Sequence, residues 1–161
     1  VIAHKGDKTY WIECKFRNSD ESKISVTTPM YVLSRIKDIC DFDHKLFGKT
    51  VRFTDGWLVT NTYFTKDSID FGEFYNLRML SWDYPKNKSI RNLVDANALY
   101  PITCLTTISE DQKKLLLAKD CILVKELNDN PKYIQELNIN DKEISNLNQE
   151  IKELLITKIS E

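Results

Sequence analysis

Two ionisable residues on one predicted strand are the part of this sequence best suited to chemistry. Glu13 and Lys15 lie in the run 9–16, which is aromatic and apolar and is typical of a buried strand. Because side chains alternate along a strand, Trp11, Glu13 and Lys15 point to the same face. Charge on a strand that otherwise belongs to the core is costly unless it is paired or binds a metal. We therefore expect either a structural ion pair or a functional site.

The elements that must position this pair alternate between strands and helices. Gly6-Asp7 separates two strand-like runs, residues 1–4 and 10–16, and predicts a hairpin. Periodicity then predicts a helix over about 29–46, a strand over 56–62, a helix over about 65–75, a strand over 77–82 and a short helix over 89–98. This order predicts an α/β fold in which a mixed central sheet is flanked by helices.

The pattern changes after Pro101, because strand signals become scarce and Leu and Ile recur at helical spacing. Ser109 is a good N-cap, and helices are predicted near 110–119, 124–129, 131–136 and 140–158. We therefore divide the chain into a domain over 1–104, which we expect to lack its N-terminal part, and a small all-helical domain over 105–161.

Composition narrows the functional classes. The net charge of −1 over 161 residues argues against strong non-specific attraction of nucleic acid to the whole surface. The four cysteines, at 14, 40, 104 and 121, form no CxxC pair, so zinc is disfavoured and reduced thiols in a cytoplasmic protein are expected. No apolar run reaches the length of a membrane span, so no membrane partner is expected.

Several blocks, together with Glu13-Cys14-Lys15, resemble one enzyme family. They are the runs 31–38, 57–65, 82–85 and 99–106. The tripeptide resembles the Glu-x-Lys strand of the PD-(D/E)xK superfamily, and the blocks resemble its restriction-endonuclease-like, Mrr-like branch. The likeness spans most of residues 1–108 and implies a restriction-endonuclease-like fold.

The resemblance implies an endonuclease that hydrolyses DNA phosphodiester bonds with Mg²⁺, or Mn²⁺, as cofactor. Glu13 would be catalytic as a metal ligand, and Lys15 would position and activate the attacking water. The family places a second acid on the preceding strand. Asp7 falls in the predicted turn, so we expect this acid just upstream of Val1. Some members carry an ATP-cone domain ahead of the nuclease domain, and a homodimer is a further option.

Four more residues are candidates for substrate binding, each with a structural alternative. Arg35, on the first predicted helix, would approach the site or the phosphate, or is a solvated helix residue. Thr60, Asn61 and Thr62 would line the site at a strand end, although Thr is common in strands for structural reasons. Trp57 and Trp82 are interpreted as core residues.

The C-terminal segment resembles a helix-hairpin-helix-type unit in the spacing of its apolar residues. Such units offer backbone amides to DNA phosphates. Residues 109–161 contain no glycine and carry 8 basic against 11 acidic residues, so packing or partner binding is the alternative role. For the whole chain, the alternative function is a catalytically inactive nuclease-fold module that binds DNA or a protein partner.

Overall fold

The computed structural model describes residues 1–19, 22–46 and 48–156. It divides into two compact units, of which the first is Val1–Arg91 and the second begins at Asn92. The first contains β1 (Ile2–Lys5), β2 (Lys8–Lys15), β3 (Lys23–Ile24), α1 (Thr27–Cys40), β4 (Asp43–Leu46), β5 (Lys49–Arg52), β6 (Asp55–Thr60), β7 (Tyr63–Phe64), α2 (Lys66–Phe74) and β8 (Arg78–Leu80). Helix α3 (Ile90–Asn97) spans the division, which lies ahead of the 104/105 boundary expected from sequence.

The main sheet has the strand order β1-β2-β6-β8. β1 and β2 form the predicted antiparallel hairpin, and Gly6 supplies the positive φ of +58° that its two-residue loop needs. β6 runs parallel to β2, and β8 runs parallel to β6. The sheet is therefore mixed, and the predicted mixed α/β architecture is confirmed. Strands β2, β6 and β8 all end at one side, which we call the carboxyl edge.

One face of this sheet is covered by α1 and α2. Along β6 the buried residues Gly56, Leu58 and Thr60 alternate with half-exposed residues, so the strand turns one side to the helices. Gly56 lets α1 approach closely, because a Cβ there would collide with the Ile36 side chain. The core beneath the helices consists of Ile24, Val32, Ile36, Leu58, Phe64, Leu77 and Met79.

The first predicted helix is shorter than expected. It ends at Cys40, and β4 pairs with β5 as an antiparallel hairpin where the sequence had predicted helix to residue 46. Acidic residues disfavour a helix C-terminus, and Asp41 and Asp43 stand there. Gly48, at φ +75°, lies within the hairpin connection. His44 Nε2 donates to the Ile39 carbonyl over 2.8 Å and ties β4 to the end of α1.

The second unit is helical around its own core. After a 3₁₀ turn (Ile102–Cys104) come α4 (Glu110–Leu117), α5 (Val124–Asp129), α6 (Lys132–Gln135) and α7 (Asp141–Ile156). These confirm the predicted helices, although residues 157 and 158 lie outside the described range. Ser109 caps α4 as expected, and it does so through a capping box with Gln112. The core consists of Ile102, Leu105, Ile108, Leu116, Cys121, Val124, Leu127, Leu137, Leu147 and Ile151.

Two carboxylates bind backbone amides inside this unit. Glu126 accepts from the amides of Ile122 and Leu123, each over 2.9 Å. Glu150 of α7 accepts from the amides and hydroxyls of Thr106 and Thr107 over 2.6–3.1 Å. None of the helices within the described ranges has both the length and the apolar character needed to cross a membrane.

Candidate active site

Glu13 and Lys15 lie on the helix-covered face of the sheet and form an ion pair. Lys15 Nζ donates to Glu13 Oε1 over 2.6 Å. The Glu13 side chain is 25% exposed and the Lys15 side chain is 35% exposed, so the pair is accessible from solvent. In the register with β6, Glu13 stands beside Leu58, and Lys15 beside Thr60. Lys15 is thus at the carboxyl edge, and Glu13 lies two residues further into the sheet.

Helix α1 provides one side of this site. The Lys15 ammonium lies 6.0 Å from the centre of the exposed Tyr31 ring, within the range of a cation–π interaction. Arg35 follows Tyr31 by four residues and therefore lies on the same side of α1, one turn along. Arg35 is exposed. Tyr31 was not predicted as a site residue from the sequence. Its place on the first predicted helix, which packs on the sheet near the end of β2, could have indicated it.

The register of β1 shows where Glu13 stands in the ladder. The Val1 nitrogen donates to the Ile12 carbonyl over 2.9 Å, and the Ile12 amide donates to the Val1 carbonyl over 2.8 Å. Such a doubly bonded pair is followed by a pair whose side chains lie closer together. Glu13, the next residue of β2, therefore stands at a closely spaced position of this ladder. Opposite residues share a face, with Cβ atoms about 5 Å apart.

Asn61 joins the ends of two neighbouring strands. Its Oδ1 accepts from the Arg17 amide, and its Nδ2 donates to the Arg17 carbonyl, both over 2.8 Å. The segment after Lys15 is therefore fastened to the segment after β6. Thr60 and Thr62 are buried, with the Thr60 hydroxyl accepting from the Thr62 amide over 3.3 Å and the Thr62 hydroxyl donating to the Ser22 carbonyl.

An aromatic recess lies along the same edge. Asn61, Tyr63, Trp82 and Ile90 line a cavity of about 510 Å³. The interpretation of Trp82 as a core residue is wrong, because the residue is 40% exposed. The strand β8 ends at Leu80, and Trp82 lies beyond it, where burial is not required. The turn residue Asp83, which directly follows Trp82, was the sequence feature that indicated the strand had already ended.

The donor atoms fit a divalent cation only in part. Glu13 offers a carboxylate, which is a ligand that Mg²⁺ accepts, but one of its oxygens already accepts from Lys15. Within residues 1–19, 22–46 and 48–156, no three His, Cys, Asp or Glu side chains come together in a group that could hold a metal ion. A metal site at this place would therefore need a further acid.

Comparison with known proteins finds two partial matches to this chain. Residues 100–155 match the family described as AF1548-like, C-terminal. An uncharacterized protein of Archaeoglobus fulgidus is 30% identical over 122 residues, which are 73% of this chain and 62% of that relative. The aligned part thus spans less than two thirds of the relative's length.

The fold has a counterpart among solved structures. The crystal structure of a protein of unknown function, AF1548, matches with a TM-score of 0.59 and 24% identity, over 96% of this chain and 78% of that chain. This likeness supports the mixed α/β unit followed by a helical unit.

Proposed function

We propose that this chain is part of a PD-(D/E)xK-type, restriction-endonuclease-like enzyme that hydrolyses DNA phosphodiester bonds with Mg²⁺ or Mn²⁺. The observation that carries the proposal is the register around Glu13. An acid before Val1 would face Glu13 across β1 and β2 on the side where Lys15 also lies. Two carboxylates and an ammonium on neighbouring strands are the side chains that such chemistry needs.

Each group has a role that follows from its chemistry. Glu13 and the upstream acid would hold the cation, which when bound offsets charge on the phosphate and makes water a better nucleophile. Lys15 would donate to the attacking water and orient it, because its ammonium is held between the Glu13 carboxylate and the Tyr31 ring. Arg35, one turn from Tyr31, would bind a neighbouring phosphate of the DNA. Thr60 and Thr62 would only support the edge, because their hydroxyls serve internal hydrogen bonds.

The second candidate function is a non-catalytic module that binds DNA. It is favoured by the lack, within the described ranges, of a cluster of three metal-binding side chains. The helical unit would then supply further contacts as a helix-hairpin-helix-type element. That resemblance stays a prediction.

The deciding experiment is a cleavage assay with the full-length protein. Supercoiled plasmid is incubated with Mg²⁺, Mn²⁺ or EDTA, and nicked and linear products are measured. We expect metal-dependent cleavage that falls about 100-fold or more in Glu13→Gln and Lys15→Ala. The matched control removes an exposed ion pair from α4 with Asp111→Asn and Lys114→Ala, and should leave cleavage unchanged. DNA binding with no cleavage under any metal would instead establish the non-catalytic module.

A further inference from the structure

The aromatic recess formed by Asn61, Tyr63, Trp82 and Ile90 lies beyond the ends of β6 and β8. Asn61 holds the backbone of Arg17, which is two residues beyond Lys15, so the wall of the recess continues into the end of β2. The volume of about 510 Å³ is within the range of small-ligand pockets. Ligands of open α/β sheets bind at the carboxyl ends of the strands, which is where this recess lies.

Trp82 is exposed although its backbone is fixed at several points. Its amide donates to the Thr62 carbonyl over 3.1 Å, and its carbonyl accepts from the Arg91 amide over 3.2 Å. The next turn is closed by Ser81, whose hydroxyl donates to Asp83 over 3.0 Å. A large aromatic ring on a fixed backbone loses little conformational entropy when a flat partner stacks on it.

Cationic residues border the recess on the strand side. Lys23 of β3 is the register partner of Tyr63, so the two side chains project from the same face. Side chains of β3 and β7 alternate between the core and the opposite face. Ile24 and Phe64 are buried in the core, whereas Lys23 is exposed. Arg17, whose backbone is held by Asn61, adds a further positive charge beyond the end of β2. Aromatic faces beside ammonium groups suit a base with its phosphates.

We propose that the recess binds one unstacked base of the nucleic-acid substrate, stacked against Trp82 or Tyr63, with Lys23 on an adjacent phosphate. Asn61 accepts and donates one hydrogen bond each with Arg17, which leaves one amide hydrogen for the edge of the base. The inference rests on the proposed function for the choice of DNA as ligand. On this inference, the preferred substrate is DNA that has an unpaired or locally opened strand beside the scissile phosphate.

The test measures binding separately from cleavage. The full chain carrying Glu13→Gln is titrated in EDTA into two labelled DNAs, a 12-nucleotide single strand and a hairpin-closed duplex without free ends. Stacking of one base predicts that the single strand binds about tenfold tighter than the closed duplex. Trp82→Leu should remove most of this preference and leave duplex binding within about twofold, whereas Trp82→Phe should retain it. Phe74→Leu, which truncates a 77% exposed aromatic side chain on α2, is the matched control and should have no effect.

Several results would overturn the assignment. The protein could show no preference for the single strand, or no DNA binding at all. Trp82→Leu could weaken binding to both DNAs equally, or Phe74→Leu could reduce the preference as much as Trp82→Leu does. Tighter binding of an RNA of the same sequence would show that the recess prefers RNA, and would also overturn the assignment to DNA. Failure of the nuclease proposal can be told apart from failure of the recess proposal. If the preference for the single strand depends on Trp82 but the protein with Glu13 intact does not cleave DNA, base binding in the recess stands and the catalytic role is ruled out.

Discussion

Val1 and Ile12 exchange two backbone hydrogen bonds, of 2.9 and 2.8 Å, and this exchange sets the position that faces Glu13. The next pair along the ladder is of the closely spaced kind, so a carboxylate opposite Glu13 would lie within reach of a shared cation, as the proposed function requires.

The first prediction concerns metal binding in the full-length protein by Glu13 and a second acid opposite it. Neutralising that acid to its amide should weaken Mn²⁺ binding as much as Glu13→Gln does, about tenfold or more, because each removes one of two charged ligands. The double variant, which keeps neither charged ligand, should bind Mn²⁺ more weakly than either single variant. Electron paramagnetic resonance of free Mn²⁺ measures all of these affinities.

Asp7 provides the control for that measurement. It lies in the β1–β2 turn, at the opposite end of the hairpin from Glu13, so Asp7→Asn should leave the Mn²⁺ affinity unchanged. An effect of Asp7→Asn equal to that of Glu13→Gln would place the site elsewhere.

Asn61 should contribute to stability through its two hydrogen bonds to Arg17. Asn61→Ala removes both, and we expect the free energy of unfolding to fall by about 1–2 kcal/mol. All three tryptophans, at 11, 57 and 82, lie in the first unit, so tryptophan fluorescence during urea unfolding reports on this unit alone. As control, Ser19→Ala changes a nearby exposed residue and should cost less than about 0.5 kcal/mol. Equal costs for both variants would contradict a joining role for Asn61.

Gly56 is predicted to be essential for the packing of α1 on β6. Gly56→Ala puts a Cβ against the Ile36 side chain and 3.2 Å from the Trp11 carbonyl oxygen, and overpacking of this kind costs about 1–3 kcal/mol. Ile36→Ala removes the colliding atoms but leaves a cavity. In a double-mutant cycle read by tryptophan fluorescence, the two changes together should cost less than the sum of their separate costs. Simple additivity would show that Ile36 does not limit the approach of the helix.

The sequence predicted those parts of the fold that depend on local signals. Gly6-Asp7 marked the first hairpin, Thr65 capped α2 by accepting from Ser68, and Ser109 capped α4, because each signal acts within a few residues. The β4–β5 hairpin was missed because its residues do not alternate strongly, and Trp82 was misplaced because an apolar run does not show where its strand ends. Both the nuclease-like fold family and the nuclease activity stay predictions.

The candidate site depends on pairing between distant segments, which sequence periodicity cannot give. β2 lies between β1 and β6, and the register of β6 places Thr60 beside Lys15, 45 residues earlier in the chain. The aromatic recess likewise combines residues after β6, in β7 and after β8. Glu13 and Lys15 could be selected from their types and spacing, but their neighbours could only come from the fold.

The last prediction is a pH dependence in the second unit, centred on Glu150. Burial raises the pKa of this carboxyl, but hydrogen bonds from the hydroxyls and amides of Thr107 and Thr106 outweigh burial and hold the pKa below its ordinary value of 4.5. A lowered folded pKa stabilises the unit above the ordinary value, and this contribution is lost as pH falls through the folded pKa. Glu150→Gln should therefore destabilise the unit by about 1–2 kcal/mol at pH 7, and wild type and variant should converge below pH 4.5.

Cys121 offers a probe for that unit, which has no tryptophan. Its thiol is fully buried, and burial, followed by the Glu126 carboxylate, raises its pKa to about 11, so the folded unit should protect it from a pyridyl disulfide, which reacts even in acid. Labelling at Cys121, followed by mass spectrometry across a urea series at pH 7, 5 and 3.5, gives the stability at each pH. Glu153→Gln removes the same charge three residues along α7 and leaves a side-chain oxygen that can still accept from Gln149, so it should change stability less. A difference between wild type and Glu150→Gln that persisted undiminished at pH 3.5 would show that the charge of Glu150 is not what stabilises the loop.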